Sequence, residues 1–188
     1  MSQRHRIVVI IGPSGSGKSS VVRELHARGV VEVRPTWTTR SPRPDEWSGS
    51  PEHRFVSEAD FDQLAAHGFF LASTTMFGLP ARYGLPAQGC ASGIEVIMLR
   101  ASLVEQFRRF EPAFLVYQIE DDAHRVEERL SQRGTGDAEL HARLADNGRE
   151  LVAGRRVADR VFVNDRSIAA LCDDITAALA ADPQEVAA

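Results

Sequence analysis

A run of five β-branched residues leads directly into a glycine-rich loop, and this junction constrains the fold more than any other part of the chain. Residues Ile7–Ile11 (IVVII) have the composition of a central parallel strand that is covered on both faces. The loop GPSGSGKS follows at residues 12–19, and the pattern beyond it predicts a helix over about Lys18 to Arg28 that ends at Gly29. A strand, a glycine loop and a helix in this order predict a phosphate site at the edge of a parallel sheet.

The spacing of Gly12, Gly17, Lys18 and Ser19 matches the phosphate-binding loop G-x-x-x-x-G-K-S. Glycines allow backbone conformations in which successive N–H groups converge on phosphate oxygens. The pattern assigns the β- and γ-phosphates of a nucleoside triphosphate to Lys18, and a Mg²⁺ ion to the Ser19 hydroxyl. The predicted triphosphate-binding residues are Gly12, Pro13, Ser14, Gly15, Ser16, Gly17, Lys18, Ser19 and Ser20.

Lys18 is the only lysine in a chain that has 22 lysine and arginine residues in total. A compact ammonium group can enter a ring of backbone amides that a planar guanidinium does not fit. A glycine-rich turn that matches the pattern by chance is the alternative interpretation. The flanking strand and helix, together with the solitary lysine, favour the phosphate loop.

Apolar runs and helical patterns alternate along the rest of the chain. This alternation predicts an α/β fold, with a central parallel sheet flanked by helices. The predicted strands are Val30–Val33, Phe69–Thr74, Ile94–Leu99, Phe114–Ile119 and residues 161–164, and the main predicted helices are Glu58–His67 and residues 121–132, 137–153 and 167–181. Residues 34–54 are predicted to form a loop that acts through its side chains, and residues 78–89 an irregular stretch rich in glycine and proline.

The composition excludes several classes of protein. A chain of 188 residues is long enough for one domain with a full core. A net charge of −4 gives no general electrostatic reason to bind nucleic acid or a membrane surface. The two cysteines, Cys90 and Cys172, are far apart and lack metal-ligand spacing, which is typical of free thiols in a reducing compartment. We therefore expect a cytoplasmic protein, and both a monomer and a homodimer are compatible with the sequence.

Two further segments, TTRSPRP at residues 38–44 and ERLSQRGT at residues 128–135, distinguish one protein family more specifically than the phosphate-binding loop does. With FVSEADF, RYG, ARL and VFVND at matching positions, they show that the chain resembles the guanylate kinase family over nearly its whole length. The resemblance implies a P-loop kinase with a small acceptor-binding lobe and a helical lid. It divides a single domain into a core of about 1–33, 94–127 and 155–181, an acceptor-binding lobe of about 34–90 and a lid of about 128–150.

The resemblance also implies roles for individual residues in transfer of a phosphoryl group from ATP, with Mg²⁺, to a small phosphorylated acceptor. Arg40 and Arg43, three residues apart, are suited to a bidentate grip on a phosphomonoester. The other acceptor-binding residues implied are Thr36, His53 and Tyr83. The lid arginines implied to act with Lys18 in catalysis are Arg129, Arg133 and Arg143. Asn164 matches a family position near the adenine of ATP.

The chain departs from the family where guanine is recognised. The family places a glutamate, a serine or threonine and an aspartate around the base, and this chain has Ala72, Leu85 and Leu99 there. The resemblance to the guanylate kinase family implies GMP as the acceptor. His53, Arg82 and the pair Arg100–Ala101 resemble instead the related ribose 1,5-bisphosphate phosphokinases. A non-catalytic guanylate kinase-like binding domain is the alternative from another class, and the intact loop argues against it.

Overall fold

The computed structural model describes residues 5–42, 46, 49–75, 80–90, 92–132 and 137–182 of the chain, with the backbone alone at residues 137–139. In chain order the described elements are β1 (Arg6–Ile11), α1 (Lys18–Ala27), β2 (Glu32–Val33), β3 (Thr36–Thr38), β4 (His53–Phe55), α2 (Glu58–Ala66), β5 (Phe70–Thr75), β6 (Arg82–Pro86), β7 (Ile94–Met98), α3 (Ala101–Arg108), β8 (Leu115–Glu120), α4 (Ala123–Gln132), α5 (Asp137–Val157), β9 (Arg160–Val163) and α6 (Ile168–Ala181). Within these ranges no helix combines the length and the apolar character that crossing a membrane requires.

The larger sheet has five strands in the order β2-β7-β1-β8-β9, and each pair of neighbours is parallel. Its central strand β1 is the predicted apolar run. Val8 and Ile10 pack on one face against α1 and α6, while Ile7, Val9 and Ile11 pack on the other face against α3. Burial on both faces explains why β1 carries no polar side chain after Arg6. The predicted α/β fold with a central parallel sheet and flanking helices is confirmed.

The phosphate-binding loop leaves the carboxyl end of β1, the central strand. β7 pairs with one side of β1 and β8 pairs with the other. In open α/β sheets, ligands bind in the crevice outside the carboxyl ends of the strands, where the strand order reverses. The topology therefore positions the loop at the part of this sheet best suited to a ligand.

A second, smaller sheet stands beside this crevice, with the order β4-β3-β6-β5. β3 pairs in parallel with β4 and antiparallel with β6, and β5 pairs antiparallel with β6. Thr38 faces Tyr83 across the β3–β6 pair, and Thr74 faces Tyr83 across the β5–β6 pair. Tyr83 is therefore held at the centre of this sheet.

Three parts of the sequence prediction are wrong in detail. Residues 34–54, predicted as one loop, contain β3 and the start of β4, and each strand has only three residues, too few to show alternation. The stretch 78–89, predicted as irregular, contains β6, whose Gly84 and Pro86 are residue types that strands usually lack. The predicted strand Val30–Val33 is reduced to Glu32–Val33.

Gly12 stands where β1 turns into the loop, and we expect that no other residue fits there. Its φ is +138°, and a Cβ atom would lie 2.2 Å from the backbone oxygen of Ile119 on β8. Gly29 is a matched control, because its φ of +67° is also positive but nothing lies within 4 Å of a Cβ there. Gly29→Ala should cost about 1–2 kcal/mol, the usual cost of a left-handed conformation.

Gly12→Ala should lower the free energy of unfolding by more than Gly29→Ala does, because a backbone carbonyl cannot rotate away as a side chain can. Urea unfolding of the two variants beside the unaltered protein measures the difference. Equal losses at the two positions would contradict the close approach of the loop to β8.

Candidate active site

The loop between β1 and α1 is closed by contacts within itself. The Lys18 ammonium donates to the backbone oxygens of Gly12 and Pro13, each at 2.7 Å. Its positive charge is therefore held at the start of the loop, and Lys18 lines the adjoining cleft. A charged phosphate oxygen is a stronger acceptor than a neutral carbonyl, so a triphosphate in the loop can draw the ammonium onto itself.

Asn164, which follows β9, binds the loop at Ser16. Its side-chain amide donates to the backbone oxygen of Ser16 at 3.0 Å, and the residue is 2% exposed. Gly17, with φ of +99°, passes so close that a Cβ atom would lie 2.6 Å from this amide nitrogen. The sequence assigned Asn164 to the ATP site near the adenine. The structure places the side chain of Asn164 against the loop, at Ser16 and Gly17.

Helix α5 holds Ser14 through two side chains that are four residues apart. The Asn147 amide accepts from the Ser14 N–H at 2.8 Å and donates to the Ser14 backbone oxygen at 3.0 Å. Arg143, 5% exposed, donates to the Ser14 hydroxyl at 3.0 Å. Sequence analysis missed Asn147, and the only signal was its spacing from Arg143, which puts both residues on one face of a helix.

Arg129, on α4, reaches the loop from another direction. It donates to the backbone oxygen of Gly15 at 3.1 Å and forms an ion pair with Asp121, whose side chain is fully buried. Asp121 also pairs with Arg125. The carboxylate therefore orients two arginines, of which Arg129 contacts the loop. The third predicted lid arginine, Arg133, lies outside the described residues.

In the loop after β3, Arg40 is held by a carboxylate that sequence analysis did not identify. Its guanidinium donates to the two carboxylate oxygens of Glu46 at 2.6 and 2.7 Å and lies 5.1 Å from the centre of the Phe55 ring. Burial lowers the pKa of this guanidinium, but the hydrogen bonds and charges of Glu46 and Tyr83 outweigh burial and raise it. Arg40 is therefore a fixed and permanent positive charge. Its predicted partner, Arg43, lies outside the described residues.

One cleft contains both groups of predicted residues. The loop contributes Gly12, Ser14, Gly15, Gly17, Lys18, Ser19 and Ser20 to its lining, and the small sheet and the loop after β3 contribute Thr36, Arg40, His53 and Tyr83. Arg143 lines the same cleft. Pro13, Ser16, Asn164 and Arg129 are not part of this lining, and the contacts above show Asn164 and Arg129 acting on the loop itself.

The chain is similar to guanylate kinases along almost its whole length. It is 35% identical over 186 residues to the guanylate kinase of Thermobifida fusca, which covers 95% of this chain and 93% of the relative. It is 32% identical over 181 residues to the guanylate kinase of Nocardia farcinica, which covers 93% of each protein. No protein-family model matches the chain.

The solved structures agree on the fold. A crystal structure of guanylate kinase from Anaplasma phagocytophilum superposes with a TM-score of 0.73 and covers 100% of this chain and 90% of that chain. The identity is 19%, so this likeness supports the fold alone.

We expect the bonds from Asn147 to Ser14 to keep the loop in shape before a triphosphate arrives. Asn147→Ala removes two hydrogen bonds, each worth about 0.5–1.5 kcal/mol, and should weaken ATP binding by about tenfold, the equivalent of about 1.4 kcal/mol. Titration calorimetry with ATP measures the change. Arg149→Ala, which alters an exposed residue of the same helix, should leave ATP binding unchanged. A variant that melts earlier but binds ATP normally would show that Asn147 only stabilises the fold.

Proposed function

This chain belongs to the guanylate kinase family, and we propose that it transfers the γ-phosphoryl group of ATP to the phosphate of GMP, forming ADP and GDP. The observation that carries the proposal is the single cleft lined both by the phosphate-binding loop and by Arg40 and Tyr83. A donor triphosphate and an acceptor phosphate can be bound there side by side. Holding two reactants in position can supply about 7–11 kcal/mol toward a reaction barrier in the most favourable cases.

The donor side of the proposal rests on the loop. Its backbone N–H groups and the amino end of α1 supply partial positive charge for phosphate oxygens. Lys18 adds a full charge next to Gly12 and Pro13. These groups bind the β- and γ-phosphates of ATP, and the contacts from Asn147 and Asn164 keep the loop in position for them.

Magnesium belongs to the proposal as the companion of ATP. The Ser19 hydroxyl lines the cleft beside Lys18 and is the kind of oxygen ligand that Mg²⁺ accepts. Among the described residues no group of three or more His, Cys, Asp and Glu side chains could hold a metal ion. A single hydroxyl fits Mg²⁺ nonetheless, because the ion commonly keeps several waters and binds mainly through substrate phosphates. When bound, it neutralises charge on the β- and γ-oxygens.

Phosphoryl transfer needs positive charge around the moving group more than it needs an acid or a base. Arg143 lines the cleft and lies within hydrogen-bond distance of Ser14, so its charge is at the loop. Arg129 is bonded to Gly15 and oriented by Asp121. We assign Arg143, with Arg129 and Arg133 by family resemblance, to the stabilisation of the transferring phosphoryl group.

On the acceptor side, Arg40 and Tyr83 bind the phosphate of GMP. The bidentate pair with Glu46 fixes the position of the Arg40 guanidinium. Thr36 and His53 face each other across β3 and β4 and line the same part of the cleft. Arg43 belongs to this group by prediction.

The partners are ATP and a small phosphorylated acceptor, with no nucleic acid or membrane, and the location is the cytoplasm. The protein acts as a monomer or a homodimer. Its single domain consists of a core of about 1–33, 94–127 and 155–181, an acceptor-binding lobe of about 34–90 and a lid of about 128–150. The relatives give no support to ribose 1,5-bisphosphate as the acceptor or to a non-catalytic binding domain.

A coupled assay of ADP release tests the function. We expect ADP to form when ATP, Mg²⁺ and GMP are present together, with GDP formed in equal amount. Lys18→Arg should fold normally and lose nearly all transfer, because a planar guanidinium does not fit where the ammonium sits between two carbonyls. Release of ADP without GDP, or full turnover by Lys18→Arg at saturating ATP, would contradict the assignment.

Arg40→Ala should raise the KM for GMP about tenfold to a hundredfold and leave the KM for ATP nearly unchanged. A hydrogen bond to a charged group contributes about 1.5–3 kcal/mol, which corresponds to this range. The variant also leaves the buried Glu46 carboxylate without Arg40. The double variant Arg40→Ala with Glu46→Gln separates the loss of the Arg40 contact with GMP from the effect of the negative charge on Glu46, since it removes both charged groups. A rise in the KM for ATP instead would assign Arg40 to the donor side.

A further inference from the structure

Beyond the acceptor-phosphate residues, the wall of the cleft becomes apolar. Leu85 lies two residues from Tyr83 on β6, so both side chains are on the same face of the small sheet. Its partner across the sheet is Ala72 on β5. Leu85 is 4% exposed and belongs to the same core cluster as Phe107, with Leu99 packed against that cluster. The part of the cleft next to the acceptor phosphate is therefore continuous with the hydrophobic core.

Helix α3 and the turn after it form the opposite wall. Leu103, Gln106, Phe107 and Phe110 all line the cleft, and their spacing puts them on one helical face. Phe110 is 51% exposed, an unusually open position for a phenylalanine side chain. A flat aromatic ring can stack on any nucleobase, because every base presents a π-face.

Carboxylates, the strongest acceptors for the N–H groups of guanine, are scarce at this end. Guanine presents N–H donors on its base-pairing edge, and a site that selects it must supply acceptors for them. Of the described residues that line the cleft, Glu150 is the only one with a carboxylate, and the side-chain acceptors next to Ala72 and Phe107 are the neutral groups of Ser73, Thr74 and Gln106. Its two oxygens accept from Arg100 at 2.8 Å and from the backbone N–H of Ala101 at 2.7 Å. The Glu150 carboxylate is therefore already bound to the start of α3.

We propose that this cleft binds the base of its acceptor by stacking and apolar contact, so that it accepts purine nucleoside 5′-monophosphates with little selection for guanine. The inference rests on the proposed function and concerns only the base end of the same acceptor site. The phosphate end is specific, because Arg40 is a fixed charge. A site that hydrogen-bonds its substrate rejects an analogue lacking those groups by about 10⁴-fold or more, whereas apolar pockets discriminate by about 10- to 200-fold.

The test compares kcat/KM for GMP and AMP with ATP and Mg²⁺ on one preparation of the full chain. We expect the two values to differ by less than about 100-fold, within the range of an apolar pocket. A preference for GMP above that value would overturn the inference while leaving the proposed function in place. Transfer to neither acceptor would remove the proposed function, and the inference with it.

Two variants test the mechanism of base binding directly. Phe110→Ala should lower kcat/KM for GMP and for AMP by about the same factor, roughly tenfold for a lost stacking contact, with the KM for ATP unchanged. Glu105→Ala, an exposed position on α3 outside the cleft lining, is the matched control. A loss confined to GMP would contradict stacking as the common contact.

Ala72→Glu introduces a carboxylate at a half-buried position opposite Leu85. It should raise the ratio of kcat/KM for GMP over AMP by at least about tenfold, because guanine donors then meet an acceptor. Ala87→Glu adds the same charge at an exposed position outside the cleft lining and should leave the ratio unchanged. An unchanged ratio in a folded Ala72→Glu variant would show that the base does not lie against β5.

Discussion

The close approach of the backbone at Gly12 to the carbonyl of Ile119 is the contact on which the rest of the site depends. A Cβ atom at residue 12 would lie 2.2 Å from that oxygen, so only glycine lets β1 leave the sheet along this path. The path carries the chain across the end of β8 and returns it to α1 with Lys18 at the first turn. Because β1 is the central strand, the loop stands where several elements can reach it.

Four side chains from distant parts of the chain then hold the loop in shape. Asn147 and Arg143 bind Ser14, Arg129 binds Gly15, and Asn164 binds Ser16. Donors that are already fixed stabilise developing charge without reorganising during the reaction, which is a main source of catalytic power in enzymes. The buried carboxylates of Asp121 and Glu46 position arginines in the same way, since Asp121 fixes Arg129 at the loop and Glu46 fixes Arg40 at the cleft.

Features set by local sequence were predictable, and features set by long-range contacts were not. The strand Ile7–Ile11 and the loop after it follow from five adjacent apolar residues and a fixed glycine spacing. Asn147 and Glu46 carry no such pattern, because their roles exist only once α5 meets Ser14 and once the chain folds back on Arg40. The family position of Asn164 was identified, but its burial against Ser16 depends on how β9 packs beside β8. The short strands of the small sheet escaped prediction because three residues are too few to show a period.

The central claim is that the donor and acceptor phosphates share one cleft, between the loop and Arg40. The most direct test is calorimetric binding of a bisubstrate analogue in which adenosine and guanosine are joined through five phosphates. If the two phosphates share one cleft, one analogue binds per chain, far more tightly than ATP or GMP alone. Its binding also prevents ATP and GMP from binding. An analogue that binds no better than ATP, and that leaves GMP binding intact, would show that the two phosphate sites are separate.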